Sequence, residues 1–111
     1  MELVAEPHDG FLAIRVEGDR IDAASAIRFK DRMRELTQGG QGSVVLDMAR
    51  VSFLDSSGLG AVVAAMKALG RERPLELSGL TPTVQKVFRL TRMDSVFTIH
   101  PSLPGGLRHV S

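Results

Sequence analysis

Residues 44–69 constrain this chain more than any other stretch, because they join two segments that both require burial. Val44-Val45-Leu46 is a short, largely β-branched apolar run, the pattern of a strand covered on both faces. Over residues 58–69 the sole charged residue is Lys67, and the others are Gly, Ala, Leu, Val and Met. Such a helix is apolar almost all round. A short polar loop links the two, with Asp55 or Ser56 as the predicted N-cap of the helix. Ser57 then falls in the first turn, where backbone N–H groups lack intrahelical partners and favour negative charge. That setting suits a hydroxyl that carries a phosphate. It suits an ordinary capping residue equally well.

The flanking sequence supplies the rest of an α/β layer. Residues 3–6 and 11–17 read as strands joined by Pro7-His8-Asp9-Gly10, whose Asp-Gly pair signals a tight turn. A loop over residues 18–22 leads to an amphipathic helix over 23–37, with Asp22 as its N-cap and Ala26, Phe29, Met33 and Leu36 at helical spacing. Leu75-Glu76-Leu77-Ser78 is a short strand. Thr81 followed by Pro82 starts a third helix, with proline where its missing N–H costs nothing. Residues 96–100 form a last strand, and 101–111 read as an irregular tail of a single domain spanning 1–111. The order implies a single-layer mixed sheet, mostly parallel after an opening antiparallel hairpin, packed by helices through right-handed crossovers.

In such sheets, sites gather beyond the carboxyl ends of the strands. Here that edge holds Asp19, Asp22, Asp47, residues 55–57 and residues 78–81. Ser56-Ser57-Gly58-Leu59-Gly60 has neither the Gly-x-Gly-x-x-Gly spacing nor a Gly-Lys-Ser/Thr, so both phosphate-loop signatures fail. There is no Gly-x-Ser-x-Gly elbow, and no motif places His8, His100 or His109 as a base beside Ser57. The histidines also lack ligand spacing, and cysteine is absent, so no metal site, cofactor or thiol chemistry is expected. With 14 basic residues against 13 acidic, nothing attracts nucleic acid or an anionic membrane nonspecifically. No window reaches the 18 or so apolar residues of a membrane span. Met1-Glu2-Leu3-Val4-Ala5-Glu6-Pro7 lacks a basic region and a long apolar core, so no signal peptide is expected and the cytoplasm is the default.

The second helix leaves one question open. Leu59, Val62, Val63, Met66 and Leu69 form a stripe sufficient for packing on the sheet, and Ala61, Ala64, Ala65 and Ala68 form another. The alanine stripe is either buried against a neighbouring helix or exposed as a docking surface.

At Phe53-Leu54-Asp55-Ser56-Ser57-Gly58-Leu59-Gly60 the sequence resembles the signature of STAS domains, specifically the bacterial anti-sigma factor antagonists. The resemblance extends to the strand ending in Asp47, to Gly18-Asp19-Arg20-Ile21-Asp22 and to Val87-Phe88-Arg89-Leu90-Thr91. It implies that Ser57 is phosphorylated. It also implies a partner surface of Asp22, Asp55, Ser56, Ser57, Gly58, Leu59, Ala61 and Ala65, with Gly58 and the alanines permitting close approach. The implied role is not enzymatic. The unphosphorylated domain binds an anti-sigma factor with serine kinase activity and releases the sigma factor; the kinase switches it off with ATP, and a PP2C-type phosphatase restores it. A monomer is favoured. The alternative is a STAS scaffold subunit of another complex, such as a lipid-transport assembly. Two features depart from the family: Arg92 stands where glycine is common, and the tail lacks the usual helical pattern.

Overall fold

A computed structural model describes residues 1–104. The elements are β1 (Leu3–His8), β2 (Phe11–Val16), β3 (Arg20–Ile21), α1 (Ala26–Thr37), β4 (Ser43–Asp47), β5 (Phe53–Leu54), α2 (Ser56–Leu69), β6 (Leu75–Ser78), α3 (Pro82–Leu90) and β7 (Ile99–His100), with a 3-10 turn at Met93–Ser95. The main sheet runs β1-β2-β4-β6-β7. Only β1 and β2 pair antiparallel, and the other neighbours are parallel. The mixed, mostly parallel sheet and its opening hairpin are thus as the sequence predicts.

Alternation along the strands sorts the core. Ile14, Val16, Val44, Leu46, Leu75 and Leu77 meet Phe29 and Met33 from α1, Val62 from α2, and Val84 and Phe88 from α3 in one continuous cluster. Val44, Val45 and Leu46 are all buried, as their unbroken apolar pattern requires. Phe88 lies edge-on to Phe97, their rings 5.8 Å apart, which fastens α3 to the segment entering β7.

Several boundaries differ from the sequence reading. β1 continues through Pro7 to His8; at the edge of a sheet a strand tolerates proline, whose missing N–H would disrupt a central ladder. α1 begins at Ala26 rather than Ala23. Asp22 does cap, but it caps a turn: its Oδ1 accepts from the N–H groups of Ala24 and Ser25 at 3.1 and 3.2 Å. Residues 18–22 and the polar loop after Asp47 were both expected to be irregular. Each instead holds a two-residue strand, and β3 and β5 pair in parallel as a separate ribbon, Arg20 opposite Phe53 and Ile21 opposite Leu54.

Thr81 precedes α3 as expected, yet its hydroxyl does not cap the helix. Thr81 Oγ1 donates to the carbonyl of Val51 at 2.7 Å and so ties α3 to the segment leading into β5. The last strand is shorter than residues 96–100, because the chain first turns through Arg92, whose φ of 62° is the left-handed conformation. Of the predicted irregular tail, residues 105–111 lie outside the described residues.

Candidate functional site

The ribbon β3/β5 is what builds the site. It delivers the chain directly into α2, so that the helix starts at a fixed place beyond the carboxyl end of β4. Asp55 is the N-cap, settling the choice between it and Ser56. Its backbone is extended, and its Oδ1 accepts from the N–H of Gly58 at 2.8 Å. Oδ2 accepts from the N–H of Ala23 at 3.2 Å, across 32 residues of sequence. Asp22, next to Ala23, uses its own carboxylate on the 23–25 turn. Sequence-predicted Asp22 and Asp55 are therefore brought together, each orienting backbone.

Ser56 and Ser57 occupy the first turn of α2 and are both exposed. Neither hydroxyl makes a hydrogen bond among the described residues, and neither backbone N–H has an intrahelical acceptor. The first intrahelical bond runs from the N–H of Leu59 to the carbonyl of Asp55. A free hydroxyl thus projects from a helix start whose dipole favours an anion. Among the described residues no histidine is hydrogen-bonded to Ser57.

Most of the rest of the expected partner surface faces inward. Gly58 is buried, and a Cβ there would meet the carbonyl of Ile21 and the side chain of Leu54. Ala61 and Ala65 are buried in the core, at 2% and 6% exposure, and Leu59 packs partly against it. The assignment of Gly58, Ala61 and Ala65 to a partner surface is corrected accordingly: they seat α2 against β3 and the remaining core. The small exposed residue beside Ser57 is Gly60, three positions along the same helix, with open space around it.

The family model for the STAS domain matches residues 2–105. The chain belongs to the STAS domain family. An anti-sigma-B factor antagonist of Listeria monocytogenes is 34% identical over 98 residues, which cover 86% of this chain and 84% of that protein. A solved anti-sigma factor antagonist from Mycobacterium paratuberculosis aligns with a TM-score of 0.81 at 27% identity, over 98% of this chain and 92% of that one. The Bacillus cell fate determinant SpoIIAA in its phosphorylated form shares the fold, with a TM-score of 0.66 at 23% identity over 99% of this chain and the whole of that one.

Within this STAS domain, one pair near Ser57 escaped sequence reasoning. The guanidinium of Arg20 lies 5.4 Å from the ring centre of Phe53, which is itself 44% exposed. Arg20 also lies 3.8 Å from Asp19, an exposed pair of small energetic weight, and 3.7 Å from the half-buried Asp22. The cross-ribbon register places Arg20 opposite Phe53, and no periodic signal exists in strands of two residues. Glu17, after β2, titrates below the ordinary glutamate range because Arg15 donates to its carboxylate at 2.7 Å. Among the described residues no helix is long and apolar enough to cross a membrane, and no three His, Asp or Glu side chains are grouped to hold a metal ion.

Proposed function

We propose that this STAS domain is an anti-sigma factor antagonist switched at Ser57. Its unphosphorylated form binds an anti-sigma factor that is itself a serine kinase, so the sigma factor is released. Phosphorylation of Ser57 ends that binding, and a PP2C-type phosphatase restores it. The observation that carries the reading is the exposed, unbonded Ser57 hydroxyl in the first turn of a helix whose start is fixed by Asp55. The names of the Listeria and Mycobacterium relatives support the antagonist role. The phosphorylated SpoIIAA structure supports the modification.

Electrostatics supports a switch in docking rather than in fold. A phosphate adds about −1.5 to −2 charges and three strong acceptors. Within the domain the helix start favours such charge by about 0.3–1 kcal/mol. At a docked interface the same charge must be desolvated, and a loss of about 1.4 kcal/mol weakens binding tenfold. Gly60, exposed beside Ser57, lets a partner surface come close to the hydroxyl. The role is that of substrate and binding partner, in the cytoplasm, with no cofactor.

Intact mass after incubation with ATP and an anti-sigma kinase tests the reading. One phosphate should appear on the wild type and none on Ser57→Ala. Binding to the unmodified kinase should survive Ser57→Ala and weaken with Ser57→Asp. A phosphate on Ser56 instead would overturn the assignment.

A further inference from the structure

A cavity of about 510 Å3 lies between the C-terminal halves of α1 and α2, away from Ser57. Its apolar side carries Ala64 and Ala68 over the core residue Ala65, with Met33 and Leu69; its polar side carries Lys30, Arg34 and Arg73. Among the described residues no acidic one lines it.

Arg73 is the unusual member. It is only 9% exposed and has no carboxylate partner among the described residues. Nε donates to the carbonyl of Gly42 at 2.8 Å and Nη1 to the carbonyl of Thr37, so the guanidinium closes the C-terminal end of α1. Nη2 makes no hydrogen bond to a described residue. It rests over Gly40, where a Cβ would come within 2.6 Å of it, so the absence of a side chain at 40 makes room for this group. Nη2 is not sealed off from solvent, so it is free to donate to an acceptor that enters the cavity. Lys30 also has no carboxylate partner among the described residues, whereas Arg34 pairs with Asp31 at 3.1 Å.

We propose that this groove binds a single-chain anionic amphiphile, a fatty-acid carboxylate. Its headgroup would lie on Arg73 Nη2 and Lys30, and its alkyl chain along the three alanines. The volume falls within the roughly 300–1,000 Å3 of small-molecule sites, lined mainly by apolar groups with a few polar ones. The apolar floor distinguishes it from a site for a bare anion.

Calorimetric and NMR titrations of the whole chain with dodecanoate, below its aggregation concentration, test this. Saturable one-to-one binding is expected, with shifts centred on residues 30–40 and 64–73. Inorganic phosphate, dodecyl maltoside and dodecyltrimethylammonium serve as head-only, neutral and cationic probes, and each should bind at least about tenfold more weakly. Lys30→Glu and Ala68→Trp alter exposed positions, so both variants should fold as the wild type does and both should weaken dodecanoate by a similar factor. Gly40→Ala, which displaces Nη2, should do the same. No binding of dodecanoate, equal binding of any of the three other probes, or unchanged affinity in Lys30→Glu and Ala68→Trp would overturn the proposal.

Discussion

A methyl group on residue 58 would lie 2.0 Å from the carbonyl oxygen of Ile21, far inside van der Waals contact. Ile21 is fully buried and paired with Leu54, so its backbone has no room to retreat. Gly58→Ala should therefore push α2 off the ribbon and destabilise the domain by about 1–3 kcal/mol or more, the cost of overpacking. Urea unfolding checks this: an unchanged midpoint would mean that α2 does not sit against β3 in solution.

Asp55 makes two backbone contacts, and its substitutions should separate them. Asp55→Ala removes both and should cost about 0.5–2 kcal/mol for the cap alone. Asp55→Asn keeps one side-chain oxygen, so it can serve Gly58 or Ala23 but not both as strongly. Thermal unfolding should rank wild type above Asn above Ala. Equal stability of all three would remove the carboxylate from any structural role.

Ser57 makes no side-chain hydrogen bond, so Ser57→Ala should change stability by less than about 0.5 kcal/mol. A phosphate at Ser57 should leave amide hydrogen exchange similar across the domain, with changes confined to the first turn of α2 and the 22–25 turn. Deprotection spreading along α2 would contradict a switch that works through charge alone.

Arg92 is the one non-glycine residue at positive φ among those described. The left-handed conformation is thus held here by a residue with a Cβ, at a cost of about 1 kcal/mol or more. Arg92→Gly should recover part of it, offset by the greater chain entropy that glycine loses on folding. A net gain of up to about 1 kcal/mol is expected in equilibrium unfolding, and a loss would point to an unrecognised contact of the Arg92 side chain.

Glu17 carries a pH dependence with a definite sign. Its carboxyl is held below the ordinary value by the hydrogen bond from Arg15, with further attraction from Arg50. The stabilisation is present above the ordinary glutamate pKa of 4.5 and is lost as pH falls through the lower folded value. NMR titration of Glu17 should show that depressed midpoint, and Arg15→Ala should move it back up.

The elements with a strong period could be read directly from sequence: the hairpin around Asp9-Gly10, the strand Val44–Leu46, and the apolar faces of α1, α2 and α3. β3 and β5 could not be, because two residues have no period, and their pairing is a contact between segments more than thirty residues apart. The start of α1 was displaced because Asp22 and Ser25 can both end a turn, and only the hydrogen bonds decide between them. The alanine stripe was ambiguous for a physical reason: a side chain that small fits a tight core as well as an open contact surface. Packing divides it, with Ala61 and Ala65 in the core and Ala68 exposed. At the site, the motif around Ser57 was legible as a pattern. That Gly58 faces inward depended on the unforeseen ribbon.

Because Asp55 spends one oxygen on the start of its own helix and the other on backbone 32 residues away, Ser57 stands on a fixed post. Most hydroxyls that kinases modify lie in segments that can be drawn out and laid along a cleft. This one cannot be drawn out without undoing the cap and the ribbon beneath it. An enzyme acting here must therefore shape itself to a helix end and its surrounding surface, and a peptide copied from residues 52–62 would be a poor substitute for the folded domain. On the proposed function, recognition and modification become one act: the enzyme that would phosphorylate Ser57 has, by then, already docked.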